Sequence, residues 1–166
     1  RIYDISISMG STKSNLSAQA TQALNKMKEE LALSSRSVIT GLSLTLSLAT
    51  ESSPGHVTQI FFRVPNSVDN QQNIVWGDGQ IGDYQLRYYV GNVSKAYQLV
   101  RERHYASGLS LSPPDREVLA NDITYVLFTY YGGNSLNIDV TASKAIQRGI
   151  IPALSVTMST QVDFKN

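Results

Sequence analysis

The side chains that commonly act as acids, bases or nucleophiles are scarce in this sequence. His56 and His104 are its only histidines, and it has no cysteine. His56 follows a Pro-Gly pair, which predicts an exposed turn, and His104 closes the charged run 101–104, which predicts a solvated strand end. None of the 21 serines lies in a G-x-S-x-G sequence, the nucleophile turn of many hydrolases. We therefore predict no catalytic residue and no enzymatic activity.

Two glycine-containing segments are candidate ligand sites. Residues 10–14, Gly-Ser-Thr-Lys-Ser, are similar to a phosphate-binding loop, but that loop requires glycine directly before the lysine and a preceding strand. Asp78 and Asp83 lie in or beside a glycine-rich stretch, but two carboxylates do not supply the about six to eight oxygen ligands that Ca²⁺ takes. Neither pattern predicts a metal or a cofactor.

The composition describes one folded domain with little net charge. The chain has 166 residues, of which 42% are hydrophobic and 16% charged. This length suits a single domain with a sizeable core. Because 14 Lys and Arg residues are almost balanced by 13 Asp and Glu residues, the chain lacks the excess of positive charge that is typical of nucleic-acid-binding proteins. Serine and threonine are abundant, so the surface is expected to be polar but weakly charged.

The first part of the chain carries a helical pattern. Apolar side chains recur there at steps of three and four, as on one face of an α-helix: Ile2, Ile5, Met9, Leu16, Ala20, Ala23, Leu24, Met27 and Leu31. Gly10 is the weak point, since glycine costs roughly 1 kcal/mol relative to alanine inside a helix. A helix from Ile2 to Arg36 would be about 50 Å long, whereas a domain of this size is about 40 Å across. We therefore expect one end of the helix to overhang the globular part.

After Val38 the pattern changes to that of β-strands. Leucines at 42, 44, 46 and 48 alternate with small polar residues, which predicts a half-buried strand. Further strands are predicted at residues 57–64, 74–76, 84–90, 97–103, 122–131, 136–140 and 154–164. Turns are predicted between them at residues 53–55, 65–66, 77–79, 91–92, 112–115 and 132–134.

The order of these elements predicts the fold class. Gly91-Asn92 and Gly132-Gly133-Asn134 are short enough for tight hairpins, so the strands around them are expected to be antiparallel. One helix followed only by strands predicts an α+β fold rather than alternating βαβ units. We expect one long N-terminal helix packed on one face of antiparallel β-sheet, arranged as one or two sheets.

Several strand sequences resemble those of a known family. Residues 84–89 read Tyr-Gln-Leu-Arg-Tyr-Tyr, 97–101 Tyr-Gln-Leu-Val-Arg, 118–124 Val-Leu-Ala-Asn-Asp-Ile-Thr and 128–131 Phe-Thr-Tyr-Tyr, and the chain closes on Val-Asp-Phe-Lys-Asn. In this order they resemble the globular domain of the minor pilins of type IV pili and of the related J-type pseudopilins of type II secretion. The helix over residues 16–36 is similar to the second half of the pilin spine helix.

The resemblance implies a pilin-like domain over residues 1–166, with a helical spine at 1–36 and a β-rich globular part at 37–166. It implies a structural subunit of a bacterial type IV pilus-like filament. In that family an apolar half-helix anchors the subunit in the inner membrane before assembly and packs in the filament core afterwards. We expect such a segment to precede Arg1. The filament or partner interface is then expected at Ile2, Ile5, Met9, Leu16 and Ala20.

The same resemblance implies partners and location. The partners would be other pilin or pseudopilin subunits, and the inner membrane through the preceding segment. The protein would reside in the bacterial cell envelope with its globular domain outside the cytoplasm, and then in an extracellular or periplasmic filament.

Two alternatives to the minor pilin stay open. One is a J-type minor pseudopilin of a type II secretion tip complex. The other belongs to a different class, a surface adhesin or binding module that uses a tyrosine-rich sheet. Seven of the nine tyrosines lie in predicted strands, where aromatic side chains pack well: Tyr84, Tyr88, Tyr89, Tyr97, Tyr125, Tyr130 and Tyr131.

Overall fold

The computed structural model describes residues 2–35, 38–39, 54–77, 84–93, 96–105, 107, 109–144 and 153–165. This part contains one helix, α1 at Ile2–Leu31, and ten strands: β1 Gly55–Val57, β2 Ile60–Phe62, β3 Pro65–Val68, β4 Ile74–Trp76, β5 Tyr84–Val93, β6 Ala96–Tyr105, β7 Ser110–Asn121, β8 Ile123–Tyr130, β9 Ser135–Lys144 and β10 Leu154–Asp163. The strands that pair with each other are antiparallel. The predicted α+β class, with one N-terminal helix and antiparallel sheets, is confirmed.

Helix α1 is one element of 30 residues that runs through Gly10 without a break. The expectation that it continues to residue 36 is wrong, because the chain turns directly after Leu31. The N–H of Ser34 donates to the carbonyl of Leu31 at 3.0 Å, and the Ser34 hydroxyl donates to the carbonyl of Arg63 at 2.7 Å. Serine side chains that bond to backbone groups in this way favour helix ends over helix interiors.

The strands form two four-stranded sheets and a two-stranded arm. The first sheet has the order β1-β8-β9-β10, the second sheet has the order β2-β5-β6-β7, and β3 with β4 forms the hairpin arm. Helix α1 contacts β9 and β10 of the first sheet and β7 of the second sheet. It therefore packs against both sheets rather than on one face of a single sheet.

One apolar core lies between the helix and the two sheets. The second sheet contributes side chains such as Phe62 and Tyr88, and the first sheet contributes others such as Phe128 and Ile138. The helix contributes the part of its predicted stripe that begins at Leu16: Leu16, Ala20, Ala23, Leu24, Met27 and Leu31. The end of the chain closes this core, since Phe164 is buried and the N–H of Lys165 donates to the carbonyl of Ala32 at 3.0 Å.

Several predicted strands agree with observed ones. The strand at 74–76 is β4, and those at 122–131, 136–140 and 154–164 correspond to β8, β9 and β10. Gly132 and Gly133 lie between β8 and β9 with φ of 96° and 77°, which confirms the predicted hairpin turn there. The predicted strand at 42–48 lies outside the described residues.

The predicted strand at 57–64 is wrong, because the chain changes sheets within it. Val57 ends β1 in the first sheet, and Ile60 begins β2 in the second. The predicted turn at Pro65-Asn66 instead begins strand β3. Strand β3 pairs only with β4 in the described part of the chain, and proline is tolerated at the first residue of a strand.

The predicted hairpin turn at Gly91-Asn92 is also wrong. Both residues lie in β5, whose pairing with β6 continues to Val93 opposite Ala96. A Cβ atom at Gly91 would lie 3.2 Å from the Tyr89 ring and 3.2 Å from the Val100 side chain. A side chain here would crowd Tyr89 and Val100, so glycine at this position suits close packing within the sheet rather than a turn.

Strand β7 was missed because residues 112–115, Ser-Pro-Pro-Asp, predict a turn. They lie within β7, at the point where its register against β6 jumps from Asp115 opposite Arg103 to Ser110 opposite His104. Strand β7 is an edge of the second sheet. Prolines are accommodated at sheet edges and bulges because they have no N–H to donate to a neighbour.

An ion pair ties the helix to the second sheet. The Arg101 Nε lies 3.0 Å from both carboxylate oxygens of Glu30, and both side chains are about three-quarters buried. Burial disfavours the charged guanidinium, but the neighbouring Glu30 carboxylate outweighs it and raises the pKa of Arg101. Burial first, and the charge of Glu30 second, raise the pKa of Tyr88, which is paired with Arg101 across the β5–β6 ladder.

We predict a measurable coupling between these two charges. A double-mutant cycle with Glu30→Gln and Arg101→Met is expected to give a coupling of about 1 to 2 kcal/mol in the free energy of unfolding. Lys26 and Glu117 form the matched control, because this pair also joins α1 to the second sheet, at β7, but its charged atoms lie 4.0 Å apart and both side chains are exposed. The coupling of the control pair should be below about 0.5 kcal/mol. Urea denaturation of the variants measures both coupling energies. Equal coupling energies for the two pairs would contradict a stabilising role for the Glu30–Arg101 ion pair.

Candidate functional site

The residues of α1 that directly precede Leu16 are not covered by the sheets. Among the helix side chains that the structure describes, Leu16 is the first that is buried, and residues 10–15 are exposed or half-buried. A Cβ atom added to Gly10 would have no neighbour within 4 Å. Within the described side chains of the helix, cover by the sheets therefore begins at Leu16.

The predicted interface residues fall into two groups. Leu16 is 1% exposed and Ala20 is fully buried, both in the core of the domain. Ile2, Ile5 and Met9 belong to the N-terminal turns of α1, and the structure describes only their backbone. In a single chain, then, Leu16 and Ala20 contact the chain's own sheets, whereas residues 2, 5 and 9 lie on the part of the helix that precedes the covered section.

Polar groups surround the point where the helix leaves the domain. A small depression there is lined by Ser11, Thr12 and Asn15 of α1 and by Asp122 and Lys144 of the sheet end. The Lys144 ammonium lies 3.8 Å from the Asp122 carboxylate. We call these five polar residues, Ser11, Thr12, Asn15, Asp122 and Lys144, the polar collar. The apolar contact between the helix and the sheets ends at this collar.

A second cluster of chemically interesting groups lies on the face of the second sheet that points away from α1. Glu102 is fully buried there and accepts hydrogen bonds at its Oε2 from the Tyr89 hydroxyl and from the Arg116 Nε, both at 2.7 Å. The Nε2 of His104 lies 2.8 Å from Oε1 of Glu102, although the two atoms do not align as a hydrogen bond. The pair becomes an ion pair when His104 is protonated.

These contacts set the protonation of Glu102. Its burial opposes ionisation, but the hydrogen bonds from Tyr89 and Arg116 and the charge of His104 outweigh burial and lower its pKa. Burial, followed by the bond to Glu102, raises the pKa of Tyr89. The Glu102 carboxylate is therefore held ionised, which suits a structural anion rather than a general acid.

The prediction of a solvated His104 is wrong, since His104 is only 3% exposed. It lies edge-on to the ring of Phe61, with the centroids 5.8 Å apart. Alternation along 101–104 places Glu102 and His104 on one face of β6 and both arginines on the other. That alternation is visible in the sequence, but part of the burial comes from Phe61 of β2 and from β7, which the sequence did not predict as neighbours of β6.

His56 is exposed, as predicted, but it lies in strand β1 rather than in a turn. Its Nδ1 lies 3.1 Å from the Thr129 hydroxyl on β8. The two histidines are thus on different sheets. Within the described residues, no group of three or more His, Asp or Glu side chains could hold a metal ion.

The tyrosines do not form one platform. Tyr88 and Tyr130 are buried in the core. Tyr97 and Tyr105 are exposed but lie eight residues apart on β6, a separation of about 26 Å along a strand. Tyr125 is exposed on the first sheet instead.

Comparison with known proteins adds no relative. No protein-family model, no curated protein and no solved structure matches the chain. Among the described helices, none is long and apolar enough to cross a membrane.

The lowered pKa of Glu102 predicts how stability depends on pH. Because the folded-state pKa lies below the unfolded value of about 4.3, ionised Glu102 stabilises the fold above that value, and this contribution is lost as the pH falls towards the folded-state pKa. Glu102→Gln should therefore lower the free energy of unfolding by about 1 to 3 kcal/mol at pH 7. The difference from the wild type should shrink between pH 5 and pH 3.

Chemical denaturation at a series of pH values measures this effect. Glu29→Gln, which replaces an exposed glutamate on α1, is the matched control. Its free energy of unfolding should differ from that of the wild type by the same small amount at every pH. A gap between Glu102→Gln and the wild type that stays constant down to pH 3 would contradict the role assigned to the carboxylate.

Proposed function

We propose that this protein is a pilin-like structural subunit, a minor pilin of a bacterial type IV pilus-like filament. The observation that carries the proposal is helix α1, whose described apolar side chains are buried by two antiparallel sheets from Leu16 onwards and whose residues 10–15 are exposed or half-buried. The resemblance of residues 84–89, 97–101, 118–124 and 128–131 to minor pilins and J-type pseudopilins supports the same proposal. In this proposal the protein is an envelope protein whose domain lies outside the cytoplasm.

The proposed mechanism is burial of helix surface between subunits. By helical spacing, Ile2, Ile5 and Met9 continue the stripe that Leu16 and the following core residues begin. Burial of apolar surface contributes about 25 cal/mol per Å² before the cost of ordering is subtracted. Neighbouring subunits would supply the cover that the chain's own sheets provide from Leu16 onwards.

The two groups of predicted interface residues then receive different roles. Ile2, Ile5 and Met9 contact neighbouring subunits. Leu16 and Ala20 hold the domain on its own helix and determine how the domain is oriented on the filament. The filament contact proposed for Leu16 and Ala20 is thereby replaced by a role inside the subunit, because both side chains are already buried.

The J-type pseudopilin of a secretion tip complex remains the alternative within this class. Both proposals use the same helix and differ in the partner subunits. Co-purification of the full-length protein with pilus subunits supports the first, and co-purification with the other tip pseudopilins supports the second.

We predict opposite effects of one substitution at two methionines of α1. Met9→Asp in the full-length protein should reduce filament number at least tenfold, while the melting temperature of the domain changes by less than about 2 °C. Met27 is fully buried, so Met27→Asp should unfold the domain or lower its melting temperature by more than about 10 °C, because a charge would lie unpaired in the core.

Electron microscopy of filaments in the native host and thermal melting of the purified domain provide the two readouts. A large fall in melting temperature for Met9→Asp would place Met9 in the domain core and contradict the proposal. Normal filaments from a folded Met9→Asp subunit would contradict it as well.

A further inference from the structure

The outer face of the first sheet, which points away from the core, is polar but almost uncharged. Side chains alternate along β8, β9 and β10, so that one set enters the core and the other set points outwards. The outward set on β9 and β10 consists of serine, threonine, asparagine, glutamine and aspartate. Lys144, at the end of β9, is the only lysine or arginine in these three strands, and it belongs to the inward set.

Tyr125 supplies an aromatic surface on this outer face. It lies on β8 opposite Thr141 of β9, and it is 46% exposed. Leu127, two residues further along β8, points to the same side and is half-buried. Strand β8 lies between β1 and β9 in the sheet. The apolar surface of Tyr125 and Leu127 is therefore within the sheet face rather than at its edge.

Hydrogen-bonding groups lie beside Tyr125 in cross-strand rows. The hydroxyls of Thr141 and Thr157 lie 2.8 Å apart, and the Ser159 hydroxyl donates to the Asp139 carboxylate. Asp139 lies diagonally across from Tyr125, a Cα separation of about 7 to 8 Å in a sheet. Each hydroxyl can donate and accept, whereas a carboxylate only accepts. Donors and acceptors thus lie on one side of an exposed aromatic ring.

This arrangement fits a saccharide better than a protein surface. A pyranose ring has one face of C–H groups, which stacks on an aromatic ring, and a rim of hydroxyls, which bond to other hydroxyls and to carboxylates. A protein interface has a larger apolar centre than Tyr125 and Leu127 provide. An anionic saccharide would be disfavoured, because the outward side chains of β8, β9 and β10 include the Asp139 carboxylate but no cation.

We propose that the outer face of the first sheet binds a neutral saccharide. The Tyr125 ring stacks on the C–H face of one sugar ring, and the Asp139 carboxylate accepts hydrogen bonds from its hydroxyls. Thr141 and Thr157 bond to hydroxyls next to these. The inference does not depend on the proposed filament role, since every residue that carries it lies on the first sheet.

Titration of the folded domain with neutral trisaccharides of glucose, galactose, mannose or N-acetylglucosamine tests the proposal, with the NMR shifts of the backbone amides as readout. At least one trisaccharide should bind saturably, with a dissociation constant of about 10 mM or tighter, and should shift amides of β8, β9 and β10. Its sulfated form should bind at least about tenfold more weakly, because the face offers no cation. The proposal is overturned if no neutral trisaccharide binds saturably, if the sulfated form binds equally well, or if the shifts lie in the second sheet.

Four variants locate the site, and the trisaccharide that binds wild type most tightly is the probe. Tyr125→Ala should weaken binding at least about tenfold, and Tyr125→Phe, which keeps the ring, by less than about threefold. Asp139→Asn should weaken binding at least about threefold. Tyr97→Ala is the matched control, because Tyr97 is 53% exposed on β6 of the second sheet, and its binding should be unchanged.

The melting temperature of each variant shows whether it is folded. If Tyr125→Ala does not fold, Asp139→Asn decides alone. Wild-type affinity in a folded Tyr125→Ala variant, or equal weakening by Tyr125→Ala and Tyr97→Ala, would overturn the assignment of the site.

Discussion

Burial of the second half of α1 against both sheets is the interaction on which the rest of the structure depends. The stripe from Leu16 to Leu31 is the only helical surface available to the core in the described part of the chain. Two four-stranded sheets with different orders meet on it. Without the helix the inner faces of both sheets would be partly exposed to solvent. Strands β7, β9 and β10 would also lose the helix that all three contact.

The same constraint explains why the helix has two different halves. The helix is about 45 Å long, and the sheets cover it from Leu16 onwards. At the boundary the contacts change from apolar side chains to the polar collar around Asp122 and Lys144. Because the contact ends on polar groups, the helix can continue beyond the sheets without leaving apolar core side chains exposed to solvent at the boundary.

The second sheet uses its two faces for different purposes. The face towards the core joins the helix through Arg101 and Glu30. The opposite face holds Glu102 between Tyr89, His104 and Arg116. Charged groups on β6 therefore have partners on both faces of the sheet, and the run 101–104, which looks like a solvated strand end in the sequence, is buried or half-buried.

The sequence predicted well those features that local patterns determine. The helical stripe, strands β4, β8, β9 and β10 and the turn at Gly132-Gly133 follow from periodicity and from glycine conformation. The failures share a physical cause, which is that strand pairing and not the local residue pattern decides the structure. Gly91 is a strand residue because the pairing of β5 with β6 continues past it to Val93, and the prolines of β7 are tolerated because β7 is an edge strand.

The candidate site was predictable to the same extent. Periodicity alone identified the stripe, but it did not show that the sheets would cover Leu16 and Ala20 and not the turns that precede them. That boundary depends on where the sheets end, which is a tertiary property. His104 was misjudged for the same reason, since its burial comes from Phe61 and from the strands on either side of β6.

The central claim is that the first turns of α1 are covered by other subunits and the later turns by the chain itself. Residues 1–166 contain no cysteine. The direct measurement is therefore the rate at which a thiol reagent labels Met9→Cys and Met27→Cys in the full-length protein, before and after assembly, relative to the unsubstituted protein. The account predicts that position 9 is labelled rapidly in the detergent-solubilised subunit and at least about tenfold more slowly in filaments. Position 27 should be protected in both states. Equal labelling of position 9 in subunit and filament would contradict the account.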